Sequence, residues 1–298
     1  MLKYNTTIML TPSGYWLKPV DDPYNPLELP PHTIRVRFTS GVTPTNGDTQ
    51  TLVDAGNNIW DIYKASDDWQ NLFYRSEDLL EVLGANTTGI TIMTGMFMFC
   101  SSLTTVPLFD TSSNRGVYEM FYNCSSLTSV PLFDTSNVTY MAKMFEGCSA
   151  LTSVPLFDTS SATSMEEMFT GCRSLTSVPL FDTSNVTDMD YMLQSCELLT
   201  SIPLFDTSKV VSMNGMCSRC RALKSVPLFD TSSAVHMVET FYNCYNVESG
   251  ALALYQQAST QATPPRDHNR CFTNCGRDTV TGAAELAQID IYWGGTAT

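Results

Sequence analysis

CSSLTSVPLFDTSNVTYMAKMFEG, running from Cys124 to Gly147, is one of a series of near-identical stretches, and its reading decides the fold. Cys100, Cys124, Cys148, Cys172, Cys196, Cys220 and Cys244 recur every 24 residues. Pro107, Pro131, Pro155, Pro179, Pro203 and Pro227 keep the same interval. Self-similarity at a fixed period of this length marks a solenoid, in which no unit can bury its own apolar side and each relies on its neighbours. A degenerate unit precedes the series, with Leu79, Val82, Thr87, Ile90, Met93, Met96 and Phe97 in the matching slots. The array is expected from about Ser76 to about Asn246.

Within a unit, Leu127, Val130 and Leu132 are spaced as the inward side of a short strand. Pro131, between two inward residues, cannot donate to a neighbouring strand, so the ladder there should be incomplete. Asp-Thr-Ser is turn chemistry, its side-chain oxygens able to hold nearby backbone N–H groups. Val138, Met141, Met144, Phe145 and Cys148 then follow the spacing of one face of a short helix. Strand, turn and helix make an α/β repeat solenoid of about seven 24-residue coils. Stacked at about 4.8 Å each, they would form an array on the order of 35 Å long. Residues 1–75 read as an N-terminal β-rich cap or small attachment domain, with strands at Thr33–Thr39 and Trp60–Lys64 and a short helix at Ser66–Tyr74. Residues 247–298 read as a C-terminal helical cap and tail, with a helix at Ser249–Ser259 capped by Ser249 and a break at Pro264-Pro265.

The LTS-hydrophobic stretch, the FDTSNVT turn (Phe133–Thr139) and the M-x-x-MF-x-x-C segment (Met141–Cys148) closely resemble the BspA-like leucine-rich-repeat surface proteins of bacteria. The resemblance covers about 170 residues, although PLFDTS is a more compact link between strand and turn than that family often carries. It implies a leucine-rich-repeat solenoid and a role in cell-surface adhesion, in recognition of host or microbe, or in a tail-type protein of gut phages. It implies no single ligand.

Charged residues make up only 15% of the chain and the formal net charge is -14. No Lys/Arg cluster could replace phosphate counterions, which argues against nucleic acid. No stretch reaches the roughly 18 apolar residues of a spanning helix, so membrane insertion is not expected. Met1 to Val20 lacks a secretory pattern, the apolar run Ile8 to Leu10 being too short. The expected location is extracellular, on a cell surface or on a virion, without a visible signal peptide. The ten cysteines sit in inward slots, including Cys217, Cys271 and Cys275, and read as buried free thiols. Disulfides or a metal remain the alternatives, Cys217-x2-Cys220 resembling half a zinc site. Neither cofactor nor metal is expected.

Two further ladders have more than one reading each. Asp110, Asp134, Asp158, Asp182, Asp206 and Asp230 would cap the Thr/Ser turns, or, as stacked carboxylates, hold calcium or touch a partner. Phe133, Phe157, Phe181 and Phe205, with Phe109 and Phe229, would tuck inward where the chain bends. Strict alternation after Leu132 would instead make them an exposed strand-side stripe and the alternative binding site.

The chain also compares itself from unit to unit. LTSVPLFDTS hardly changes, whereas variation collects after the turn and along the expected helix. The candidate ligand-binding residues are therefore Tyr118, Tyr122, Tyr140, Lys143, Glu167, Asp188, Tyr191, His236, Glu239 and Tyr242. Tyrosine supplies contact area at low entropic cost, and small polar residues adapt around it. Exposed positions that simply drift would give the same pattern. In the unit from Cys100 to Asn123, Asn114 takes a Val slot and Arg115 is expected to protrude. His32, His236 and His268 form no recognisable triad or metal motif, so no catalytic residues are assigned. The expected function is non-catalytic recognition or adhesion, presenting a rigid repeat surface to a protein or glycan on another cell or host. The alternative is a structural or receptor-binding tail component of a phage-like particle with the array as spacer, oligomeric or built into a larger assembly.

Overall fold

The structure, a computed structural model, describes residues 15–18, 32–39, 58–64 and 66–296. The Ile8–Leu10 run lies outside the described residues. Four strands, β1 (Tyr15–Lys18), β2 (Thr33–Phe38), β3 (Ile59–Lys64) and β4 (Leu79–Asn86), form an antiparallel sheet in the order β1-β3-β2-β4. β2 and β3 occupy the two stretches expected to be strands. β4 was expected as part of the first degenerate coil, and it does both jobs. One edge pairs with β2, held also by an Arg37–Glu81 ion pair at 2.7 Å. The other edge meets the array, where Thr104 donates to the Leu80 carbonyl at 3.0 Å and Glu81 bridges Thr105. Ile34, Val36, Phe38, Ile62, Leu79 and Val82 then share one core with the coils.

Beyond β4 the chain is a leucine-rich-repeat solenoid whose coils repeat through bonds between residues 24 apart. Thr152 Oγ1 and backbone N–H both donate to the Thr128 carbonyl, and Thr176 does the same to Thr152. Near Pro131 and its equivalents this ladder lapses, as the missing N–H requires.

The expected helix on M-x-x-MF-x-x-C is absent. In its place alternate N–H groups leave the coil: Met141, Lys143, Phe145 and Gly147 donate to Ser164, Glu166, Met168 and Thr170 of the next coil at 2.7 to 3.2 Å. The residues between them, Met144, Glu146 and Cys148, donate three residues back within their own coil. Lys143 and Gly147 have φ of 58° and 75°, and the equivalent slots of the other coils are also left-handed. A helix would direct every N–H along its own axis and leave nothing to join the coils, so the stack replaces it with a chain of tight turns. Parallel bridges Tyr140↔Ser164, Ser164↔Asp188, Asp188↔Ser212 and Ser212↔His236 therefore run along the face expected to be helical. The segment expected as a helix at Ser66–Tyr74 is another layer of these turns, Trp69, Asn71, Phe73 and Arg75 donating to residues 92, 94, 96 and 98.

The inward slots also shift by one. Leu127 and Val130 are buried, but Leu132 is 57% exposed and Phe133 only 2%. The cause is local: Phe157, Phe181, Phe205 and Phe229 each donate to the proline carbonyl two residues back at 2.9 to 3.0 Å, a γ-turn that rotates the intervening leucine outward. The Phe133, Phe157, Phe181 and Phe205 ladder is thus interior, with parallel rings 6.4 to 6.5 Å apart along it. It interlocks with a second stack, Phe97, Phe121, Phe145 and Phe169, at 5.4 to 5.7 Å. The exposed stripe on the constant face is made by Leu108, Leu132, Leu156, Leu180, Leu204 and Leu228.

All ten cysteines are buried free thiols. Cys124, Cys148 and Cys172 donate to the carbonyls of Phe97, Phe121 and Phe145 at 3.0 to 3.1 Å, and burial pushes the Cys220 and Cys271 thiols up to about 12. Each ladder aspartate spends an oxygen on the serine two residues on, as Asp158 does with Ser160 N–H at 3.0 Å and Oγ at 2.6 Å. Those bonds hold the Asp158, Asp182 and Asp206 carboxyls below their usual range. Asn114 is fully buried: its Oδ1 accepts from Gly116 N–H at 2.8 Å while its Nδ2 has no partner, and Arg115 is exposed.

The array ends against α1 (Ala251–Thr260) and α2 (Val280–Leu286). Ser249 does not cap α1. The N-cap is Gly250, at φ 96°, with no side-chain cap. A Cβ there would fall 2.2 Å from the Val226 carbonyl oxygen, so the glycine is needed for the close approach. Thr231, whose equivalents bond the next coil's aspartate carbonyl, bonds Gln261 Oε1 instead at 2.8 Å.

Candidate functional site

The variable slots fall on one face and gather into two groups. Around Tyr140, the Tyr118 and Tyr140 rings lie 5.7 Å apart, and Lys143 pairs with Glu167 at 3.3 Å across adjacent coils. Tyr122 packs edge-on against Phe99 at 5.2 Å. Glu146, in a variable slot but not among the candidate residues, lies half-buried among them with Oε2 unpartnered. Burial, and then Glu167 beside it, raise its carboxyl to about 7. Burial, and then Glu119, raise the Tyr118 hydroxyl to about 12. This half of the face is acidic and tyrosine-rich.

The second group forms a concavity. Tyr191, Asn214, His236 and Val238, from three successive coils, make one wall of a cleft of about 530 Å³. Arg266, Asp267, His268, Asn269 and Tyr292, from the segments that follow α1 and α2, make the other. The floor is set by a polar network: Asp190 accepts from Ser212 Oγ and Asn214 N–H, both at 2.6 Å, and Asn214 Oδ1 accepts from Val238 N–H at 2.9 Å. The Tyr191 ring lies over Gly215, whose absent Cβ would sit 2.4 Å from two ring carbons. His236 Nδ1 meets Asp267 Oδ2 at 2.6 Å, and the His268 ring stacks on Trp293 at 4.0 Å.

Asp188 stands in the bridge ladder beside Asp190, half-buried, and burial raises its carboxyl. Glu239 pairs with Arg270 at 2.8 Å, and that guanidinium lies over the Tyr242 ring at 4.5 Å. Among the candidate residues, then, Tyr191 and His236 line the cleft, Tyr118, Tyr140, Lys143 and Glu167 make the acidic group, and Glu239 and Tyr242 are joined through Arg270. The cleft's second wall was not foreseen. Asp267 follows His236 by 31 residues rather than 24, because α1 is inserted in the coil, yet it bridges His236 as a regular coil would. The Cys271–Cys275 likeness to the repeat was the signal that this segment stacks next.

Two solved structures are similar. A leucine-rich-repeat protein of T. pallidum is 21% identical over 63% of this chain and 86% of its own, with a TM-score of 0.45. A leucine-rich cell surface protein of Faecalibacterium prausnitzii A2-165 is 17% identical over 92% of this chain and 94% of its own, with a TM-score of 0.34. No curated protein matches the chain. The family described as "Mycoplasma protein of unknown function, DUF285" matches residues 67–178 and 151–254, more than half of the chain between them. The chain belongs to that family.

Proposed function

We propose that this chain is a non-catalytic recognition protein of a cell surface or an extracellular particle, binding a protein or glycan with its variable face. The observation that carries the reading is the cleft, because its array wall is built from slots that differ from coil to coil while the opposite face is nearly constant. A cleft of about 530 Å³ falls within the range of ligand sites, which spans about 300 to 1,000 Å³. Rigid tyrosines beside small polar residues are the composition of adaptable binding surfaces. Buried thiols and a histidine already held by Asp267 leave the face better suited to binding than to nucleophilic chemistry.

The test is a screen of the whole chain on glycan and surface-protein arrays beside a variant carrying Tyr140→Ala, Tyr191→Ala and His236→Ala. The proposal expects a hit that the variant loses. A hit that survives in the variant overturns the placement of the site on this face, and the absence of any hit favours the spacer of a larger particle.

A further inference from the structure

Resting on that placement of the site, we infer that the cleft takes a saccharide bearing a carboxylate, its ring against Tyr191 and Tyr292 and its anionic group on Arg266. The chain carries a formal net charge of -14, so a cation without an internal partner is conspicuous. Arg37, Arg173, Arg221, Arg270 and Arg277 each pair with a carboxylate. Arg75, Arg115 and Arg219 have no such pair among the described residues, but none of them lines the cleft. Arg266 lines the cleft, is exposed, and has no ion pair or side-chain hydrogen bond among the described residues. Asp267 beside it is committed to His236 at 2.6 Å. The one carboxylate in the wall therefore already has its partner, and the guanidinium is left to present its planar fork to an incoming anion.

The rest of the wall says what carries the anion. Val238 is the only aliphatic residue in it, so there is no apolar socket for a leucine or phenylalanine of a peptide. The surfaces offered are amphipathic rings: Tyr191 at 37% exposure, Tyr292 at 75%, and the two imidazoles. Such a ring matches the C–H face of a pyranose, while tyrosine hydroxyls and the Asn269 amide match its hydroxyl edge. Asn214, bonded to Asp190, Ser212 and Val238, is the fixed support under the site rather than a contact in search of a partner. Gly215 keeps the floor low enough for the Tyr191 ring to lie across it.

The experiment is calorimetric titration of the full chain with hexuronate- and nonulosonate-terminated oligosaccharides, each beside its neutral counterpart lacking the carboxylate, and with sodium acetate as the bare anion. Wild-type chain should bind at least one acidic saccharide, with affinity falling as salt rises. Its neutral counterpart and acetate should bind about tenfold more weakly or worse, the scale of one charge-assisted bond. Arg266→Gln and Tyr191→Ala should each lose binding by a similar factor, while Lys209→Gln, outside the cleft lining, should not. Unchanged thermal unfolding of Arg266→Gln shows that the loss is local. No binding across the panel, equal binding of acetate, or full affinity in Arg266→Gln each overturns the inference. An array ligand lost in the Tyr140/Tyr191/His236 variant but not displaced by any acidic saccharide would leave the recognition reading standing and remove this one alone.

Discussion

Adjacent residues in this solenoid have opposite fates, and Leu156 and Phe157 show it best. Phe157 lies between the rings of Phe133 and Phe181 and also faces Phe145 at 6.0 Å, whereas Leu156 is 59% exposed. Phe157→Ala should cost about 3–5 kcal/mol, the range for a buried aromatic, and Leu156→Ser no more than about 0.5 kcal/mol. Denaturant unfolding of both variants checks the pair, and equal costs would contradict the γ-turn assignment. The inward bend expected for Phe133 is present, whereas Leu132, expected on the inward side of the strand, faces out, because a γ-turn at the leucine position reverses the pleat without leaving a signature beyond the proline. Glu146 gives a residue-scale pH test. Its folded carboxyl is raised to about 7 from an ordinary 4.5 by burial first and then by Glu167, with Glu119 adding and Lys143 opposing. The protonated form is the one the fold favours, so the native state is best served below about pH 4.5 and loses that contribution as pH rises towards 7. Glu146→Gln should raise the melting temperature at pH 8 and change it little at pH 4.5.

At the scale of the element, the period of the coil was legible and its secondary structure was not. The spacing of Met141, Met144, Phe145 and Cys148 is that of a helix face because the tight turns also advance every three or four residues. What separates the two is the left-handed residue at Lys143, Glu167, Tyr191 and Glu239, residue types that give no warning of a positive φ. Among the described residues α-helix is confined to α1 and α2, of 10 and 7 residues. Far-UV circular dichroism should therefore lack strong minima at the helical wavelengths, and a spectrum with a quarter or more helix would restore the strand-and-helix coil. The variable slots were legible as variable, and their placement along a β-bridge ladder explains why their side chains stack in register.

The whole molecule is a stack in which each coil finishes its neighbour's hydrogen bonds, so its ends decide its stability. Residues 247–298 supply Gln261 to Thr231, Asp267 to His236 and the Phe272 ring to Phe241 at 5.9 Å. Removing them uncovers Phe241 and Cys244, both fully buried. The shortened chain should aggregate on size-exclusion chromatography or unfold at a clearly lower temperature. They also form half of the cleft, which is why sequence reasoning found only its array wall: two segments separated by inserted helices come together through stacking, and no periodic spacing announces it.

The central claim is that the variable face recognises a ligand. Hydrogen exchange of the full chain, alone and saturated with the ligand returned by the arrays, tests it most directly. The account predicts slowed exchange at Tyr191, Asn214, Val238 and Arg266–Asn269, with no change along the constant face. Protection confined to Thr128, Thr152 and Thr176, beside the exposed leucine stripe, would contradict it.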